Sequence, residues 1–376
     1  MKLDLSEDQE FFRQTTRRFI EAEVPIARVR DIDPAGDAFD RQWWLRAAEL
    51  GWASMLAPES AGGGCLSGRP LTDAAIVGEE MGRQVCPGPF GAVNVVCSAL
   101  GEAAGSHQAI LTQLVDGSKI ATWAMAEKDG RWDAQSISTT ATVNGSSVVL
   151  RGVKPFIEAA PSADYLLVVA RTGNGVSQVL VPSDAEHVSV TRSRSLDLAR
   201  HFGTAAFETV ELPMSSLVGD PGEAEPAVER QLLIAIALQC AETVGMLDRV
   251  VEFTLGYMHD RFAFGRPIAS FQALKHRMAD ICLWLESAKA STDALVAAID
   301  DRSPDAARLA SVAKSYIGDK SLTIIQECVQ FHGGIGVTWE HDLHLYLRRA
   351  TVNRALLGSP EQHRDRLCNL LGLEMA

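Results

Sequence analysis

Cysteines are few and scattered: seven in 376 residues (Cys65, Cys86, Cys97, Cys240, Cys282, Cys328 and Cys368), with no Cys-x-x-Cys pair. An odd, dispersed set excludes a disulfide framework and describes buried thiols in a reducing cytoplasm, the expected location of the chain. No ligand cluster has zinc-site spacing, so no metal is expected. Aromatic residues reach only 6% while alanine is abundant, a balance that leans toward helices. Positive charge is in deficit. The 35 Lys and Arg against 48 Asp and Glu give a net −13, which excludes a broad nucleic-acid-binding face. A local basic pocket around a phosphorylated ligand stays open, because net charge does not describe one cleft. Long apolar runs are missing as well. The longest candidate, Leu232 to Leu238, gives way to Gln239 and Glu242, far short of the ~18–20 residues of a membrane span. The opening Met1-Lys2-Leu3-Asp4-Leu5-Ser6-Glu7-Asp8 is polar and acidic where a signal peptide is basic and then apolar.

What is present describes a globular chain: 47% hydrophobic and 22% charged residues over a length suited to about two or three domains. Residues 1–118 read as an N-terminal helical domain. Ser6 is a helix cap with Gln9 three residues on, and Trp43, Trp44, Ala47 and Ala48 mark a second helix ending at Gly51. Further helices are expected near Asp73–Arg83 and Val93–Ala104, beyond a glycine-rich loop at 58–64. From residue 119 to 217, short β-branched runs separated by turns, with Asn144-Gly145 as a hairpin signal, predict a middle antiparallel β domain. Residues 226–376 read as a C-terminal four-helix bundle, with segments at Val228–Met258, Ser270–Ile299, Asp305–Gln330 and Leu343–Leu371. Pro304 is placed in the first turn of the third. The fold class is α+β, ordered helices, strands, helices.

Three stretches are candidates for chemistry. Arg261-Phe262-Ala263-Phe264-Gly265-Arg266, running on to Gln272 and His276, bends between two long helices beside several cations. That suits a phosphate, although a solvated helix corner has the same composition. Gln330-Phe331-His332-Gly333-Gly334-Ile335-Gly336 offers backbone N–H groups to a close ligand, with His332 better placed to pack than to catalyse. Leu356-Leu357-Gly358-Ser359-Pro360-Glu361 reads as a helix end, a glycine turn and a restart capped by Ser359, where Glu361 meets the helix dipole.

In this order, after a β block, these stretches make the whole chain resemble the acyl-CoA dehydrogenase family. Ser6-Glu7-Asp8-Gln9, the Pro58-to-Gly63 loop, Gly152-x-Lys154, Arg261-x-x-Phe264-Gly265, Phe271-Gln272-Ala273 and Gln330-x-x-Gly333-Gly334-x-Gly336 carry the resemblance. It implies an FAD enzyme that desaturates acyl-CoA thioesters and is reoxidised by an electron-transfer flavoprotein. Arg261, Phe264 and Gln272 match positions holding the adenosine-diphosphate end of FAD from a neighbouring subunit; Gln330, Gly333 and Gly334 match the loop at its pyrophosphate.

The departures point to a division of labour. The family's catalytic glutamate falls on Leu357, and the second position used by some relatives falls on Ala235, so neither can take a proton. Gly130-Arg131-Trp132-Asp133 replaces Gly-Ser-Asp, and Phe156-Ile157-Glu158 replaces Trp-Ile-Thr, around the flavin. The chain therefore resembles the subunit lacking the base in bacterial heterotetrameric acyl-CoA dehydrogenases of steroid side-chain breakdown. The implied partner is a glutamate-bearing chain. A self-sufficient enzyme with a displaced base, Glu242 or Glu361, is one alternative, and a catalytically silent acyl-CoA-binding scaffold is another.

Overall fold

A computed structural model describes residues 5–32, 39–103, 107–173 and 175–372. The first helix, α1 (Glu7–Glu23), starts where Ser6 and Gln9 exchange hydrogen bonds, 3.2 Å from the Gln9 N–H to the Ser6 hydroxyl and 3.1 Å in return. It is followed by α2 (Ile26–Arg30), α3 (Arg41–Glu49), α4 (Pro70–Arg83), α5 (Phe90–Glu102) and α6 (Gln108–Val115). Three of the seven tryptophans lie here. Trp43, Trp44 and Trp52 are buried, and Trp52 meets Phe19 and Phe90 edge-on with ring centroids 5.5 and 6.3 Å apart.

The middle part is one eight-stranded sheet: β1 (Ala121–Ala124), β2 (Thr140–Asn144), β3 (Ser147–Glu158), β4 (Tyr165–Thr172), β5 (Gly175–Pro182), β6 (Val188–Ser193), β7 (Phe202–Pro213) and β8 (Leu217–Val218). The expected β2–β3 hairpin forms with its turn one residue later than the Asn144-Gly145 signal: Asn144 pairs with Ser147, and Gly145, at φ +60°, and Ser146 close it. The expected antiparallel pairing holds through β6-β7-β3-β2 and β4-β5-β8. It gives way to parallel pairing where β1, and the first residue of β2, run alongside β4. The sheet is therefore mixed. β1 is buried at all four residues, so it shows no alternation by which a sequence pattern would have marked it.

The C-terminal part holds α7 (Glu225–Asp260), a small hairpin of β9 (Phe262–Ala263) and β10 (Arg266–Pro267), α8 (Gln272–Asp300) and α9 (Ala306–His332). Pro304 lies just before α9 rather than in its first turn, which begins after Asp305. The periodic segment over 343–371 is two helices, α10 (Leu343–Ala355) and α11 (Pro360–Leu370), divided at the turn and restart expected from the Leu356-to-Glu361 stretch. Leu357 and Gly358 adopt φ +62° and +100°, and Ser359 caps the restart in a reciprocal box with Gln362. A left-handed residue ends an α-helix, so the break is built into the turn.

α7 is long and apolar enough to cross a membrane, but its apolar stretch is buried in the bundle and against α4. Those two helices meet backbone to backbone. A Cβ on Gly82 would fall 1.9 Å from the Glu242 carbonyl oxygen, and one on Gly245 the same distance from that of Glu79. Only glycine permits that approach, and it sets how deep the Glu242 side of α7 sits.

Candidate active-site pocket

A pocket opens where all three parts meet, walled by α4 and α5, by β1 and β3, and by α7, α10 and the Leu356–Leu357 turn. Ala235 and Leu357, the two positions where the family resemblance expects a base, both line it. Residues 122 apart in the chain are thus brought to one cavity, and both are apolar. Ala235, Gln239 and Glu242 are spaced four and three residues apart on α7, which puts them on one helix face.

Glu242 is buried and ionised. One carboxylate oxygen pairs with Arg349; the other lies 3.2 Å from Arg200 and accepts from the Asn353 amide at 3.0 Å. Arg349 also pairs with buried Asp197, and Arg200 with Glu158 at 2.6 Å. Burial alone would raise the Glu242 pKa, yet the two guanidiniums and the Asn353 and Arg349 hydrogen bonds outweigh it and hold it below the usual carboxylate range. A carboxylate fixed in this way is a poor proton acceptor, which counts against Glu242 as a displaced base. Glu361 fails for a different reason. It is exposed, outside the pocket, paired with Arg354 at 2.7 Å and Arg364 at 3.3 Å, and lowered to about 2, first by its hydrogen bond with Ser359.

The turn that presents Leu357 is held by buried His363. Its Nε2 lies 2.9 Å from the Leu357 carbonyl, which fixes that nitrogen as the donor, and its Nδ1 lies 3.2 Å from the Ser311 hydroxyl. A leucine at positive φ costs about 1–2 kcal/mol, so the anchor matters. Burial lowers the His363 pKa to about 4. The unfolded chain, with histidine near its ordinary value, binds the extra proton first, so stability falls as the pH drops from about 6.5 to about 4. Urea denaturation should show wild type losing up to about 3 kcal/mol more than His363→Gln between pH 7 and pH 4.

The residues expected at the dinucleotide lie apart from the pocket, on the open corner formed by the β9–β10 hairpin and the ends of α8 and α9. Arg261, Phe264, Gln272, Gln330, Gly333 and Gly334 are all exposed, Phe264 at 95%. Nothing stands within 4 Å of a Cβ built on Gly333 or Gly334, so their backbone is open to a ligand. His332 packs instead: it is buried, its ring stacks on Tyr257 with centroids 4.4 Å apart, and its Nδ1 lies 2.9 Å from the Cys328 carbonyl. Of the basic residues near this corner, Arg277 is occupied by Glu327 at 2.7 Å, and Arg266 lies 4.1 Å over the Phe271 ring.

Several site residues escaped the sequence reading. Arg200, Asp197 and Asn353 complete the ion network, and Gln239 and Trp123 line the pocket. The available signal was a charged residue, Glu242, inside the long apolar helix α7, since a buried carboxylate demands cations from elsewhere. Lys154, picked out with Gly152, is fully buried and donates to Glu127 at 2.7 Å and to the Met125 carbonyl at 2.9 Å. It is therefore a structural clamp between β3 and the segment after β1.

The three parts correspond to the three domains of one enzyme class, the oxidoreductases acting on acyl-CoA. The acyl-CoA dehydrogenase N-terminal domain model matches residues 6–117, the middle domain model 122–210 and the C-terminal domain model 227–370. Acyl-CoA dehydrogenase IpdE2 of Mycobacterium tuberculosis is 32% identical over 363 residues, covering 96% of each chain. Among solved structures, a variant of the Tcur3481-Tcur3483 steroid ACAD superimposes with a TM-score of 0.86 at 26% identity, over 97% of this chain and 98% of that one. The ChsE4-ChsE5 complex from Mycobacterium tuberculosis does so at 0.88 and 23% identity, over 100% of both. The chain belongs to the acyl-CoA dehydrogenase family, whose members are FAD-dependent flavoproteins.

Tested against that cofactor, the two ends differ. The exposed arginine, glutamines and unobstructed glycines of the corner fit a dinucleotide. The groove beside Leu357 does not favour a diphosphate: Asp133, Glu225, Glu229 and Asp365 line it against only Arg131 and Arg366, and each arginine is already paired, with Asp133 and Glu229.

Proposed function

We propose that the chain is the subunit without a base in a heteromeric acyl-CoA dehydrogenase that introduces an α,β double bond into an acyl-CoA thioester. One observation carries the reading: Ala235 and Leu357 face the same pocket, and the nearest carboxylate on α7 is locked between two arginines. The exposed corner has the opposite character, being complete and open to a neighbouring chain. Arg261 contributes charge to a phosphate there, Gln272 and Gln330 contribute amides, and the Gly333-Gly334 backbone allows close approach. FAD held at that corner supplies hydride acceptance, with an electron-transfer flavoprotein as its oxidant. In this chain's own pocket, Glu242 and Glu158 spend their charge on Arg349 and Arg200, so the thioester α-proton goes to a glutamate of the partner.

Two structural relatives bear the names of paired chains, and one of those pairs is a steroid ACAD; both facts support this assignment and make steroid-derived CoA thioesters the first substrates to try. The test is co-expression of the full chain with a family member that carries a glutamate where this chain has Leu357, followed by purification through a tag on this chain. The expected product is a stable, yellow complex, against a poorly flavinated chain when expressed alone. A fully flavinated homo-oligomer that desaturates acyl-CoA would contradict the proposal.

A further inference from the structure

The Gly333-Gly334 loop is held through one buried side chain, His332. Gly333 leaves α9 at φ +61° and ψ −137°, a conformation suited to glycine, and the chain then folds back until a Cβ on Gly336 would fall 2.9 Å from the His332 Cβ. Tyr257 of α7 grips His332 twice. Its ring stacks on the imidazole, and its hydroxyl donates at 3.3 Å to the His332 carbonyl, in the peptide that leads into Gly333. His341, beyond the loop, meets the same imidazole edge-on with ring centroids 4.5 Å apart. The His341 Nδ1 accepts from the Leu343 N–H at 3.2 Å, where α10 begins.

We infer that Tyr257 and His341 are positioning residues for the dinucleotide corner: acting through His332, they set the Gly333-Gly334 backbone for a pyrophosphate, and the grip loosens when His341 takes up a proton. An Nδ1 that accepts from an N–H carries no proton of its own, so protonating it breaks the bond to Leu343. The new charge would stand at the N-terminus of α10, which the helix dipole opposes, and against a second imidazole. The groups around the pair offer little compensation. From α7 come the neutral rings of Phe253 and Tyr257, and from α2 comes the cation Arg30, which already pairs with Asp342. His344 of α10 lies 3.2 Å from the Trp339 carbonyl. Burial first, then His332, holds the His341 pKa below the ordinary histidine value, and burial does the same for His332. His341 is the more exposed ring and takes the first proton. An opened loop returns it to water and to its ordinary basicity, so the open form binds a proton that the closed form refuses. Affinity for the dinucleotide is therefore level above about pH 7 and falls as the pH drops below about 6.5. This inference rests on the reading that the corner holds FAD, but it does not depend on which chain carries the base.

The test uses the full chain in its flavin-bearing assembly, with or without the glutamate-bearing partner, and reads FAD affinity from the flavin fluorescence recovered on serial dilution. Wild type should hold FAD at least about fivefold more weakly at pH 5.5 than at pH 7.5, since one suppressed histidine is worth up to about tenfold a pH unit below its ordinary value. His341→Asn keeps an acceptor for the Leu343 N–H and cannot titrate, so it should reduce that ratio to about twofold or less. His341→Gln, equally unable to titrate, serves if the asparagine variant misfolds. Tyr257→Phe keeps the stack but loses the hydrogen bond, and should weaken FAD about threefold to tenfold at both pH values while leaving their ratio in place. A wild-type ratio within about twofold, a ratio that survives in both His341 variants, or undiminished affinity in Tyr257→Phe would overturn the inference. Arg261→Ala separates it from the reading beneath it. That substitution should weaken FAD at both pH values; if it does not, or if neither assembly takes up FAD, the corner reading falls and this inference with it.

Discussion

Replacing Arg349 by methionine lowers the stability of the chain by about 3–5 kcal/mol, a large fraction of what a domain has. Arg349 is 1% exposed and joins two buried carboxylates, Asp197 on the segment before β7 and Glu242 on α7. Methionine fills much of the same space, so the cost is electrical. Asp197 loses its cation, and Glu242 keeps only Arg200 and the Asn353 amide. Arg349→Lys retains charge without the fork that spans both partners and recovers only part of the loss. Urea denaturation at pH 7 measures both. Acid should narrow the difference: Glu242 has a depressed pKa, so its contribution is complete above the ordinary carboxylate range and disappears as the pH falls through the folded value. A change below about 1 kcal/mol for Arg349→Met would mean that the network does not hold the pocket wall. Arg364, which pairs with Glu361 and Asp319 on the surface, provides the contrast. Its loss should leave the denaturation midpoint essentially unchanged.

Much of the fold was legible because local chemistry and tertiary structure agree. The Ser6–Gln9 box, the turn glycine Gly145 and the Ser359-Pro360 restart each state their own geometry within four residues. β1, β6 and the parallel junction at β4 were not legible for opposite reasons. β1 is buried throughout, while β6 is a short, partly exposed run at the sheet edge with no buried residue. The apolar periodicity over 343–371 runs across the break, and only the local chemistry of Gly358, Ser359 and Pro360 marks the end of one helix and the start of another.

The candidate site divides in the same way. The two positions where a base is expected could be found by counting, because Leu357 and Ala235 occupy positions with a recognisable frame. The pairing of Glu242 could not, as its partners come from distant places: Arg200 before β7, and Arg349 and Asn353 on α10. Nor does sequence reveal that Gln239 and Trp123 are left without partners. That is a property of the assembled fold.

The central claim is that the proton acceptor of the complex lies on the other chain. It is tested most directly by mixing the anaerobic complex with whichever acyl-CoA reduces its flavin fastest and following the loss of flavin absorbance. The comparison is between the wild-type complex and one whose partner carries glutamine in place of its glutamate base. The account predicts a rate at least about 100-fold lower in the glutamine complex, with flavin content unchanged. Reduction at an undiminished rate would place a working base on this chain and contradict it.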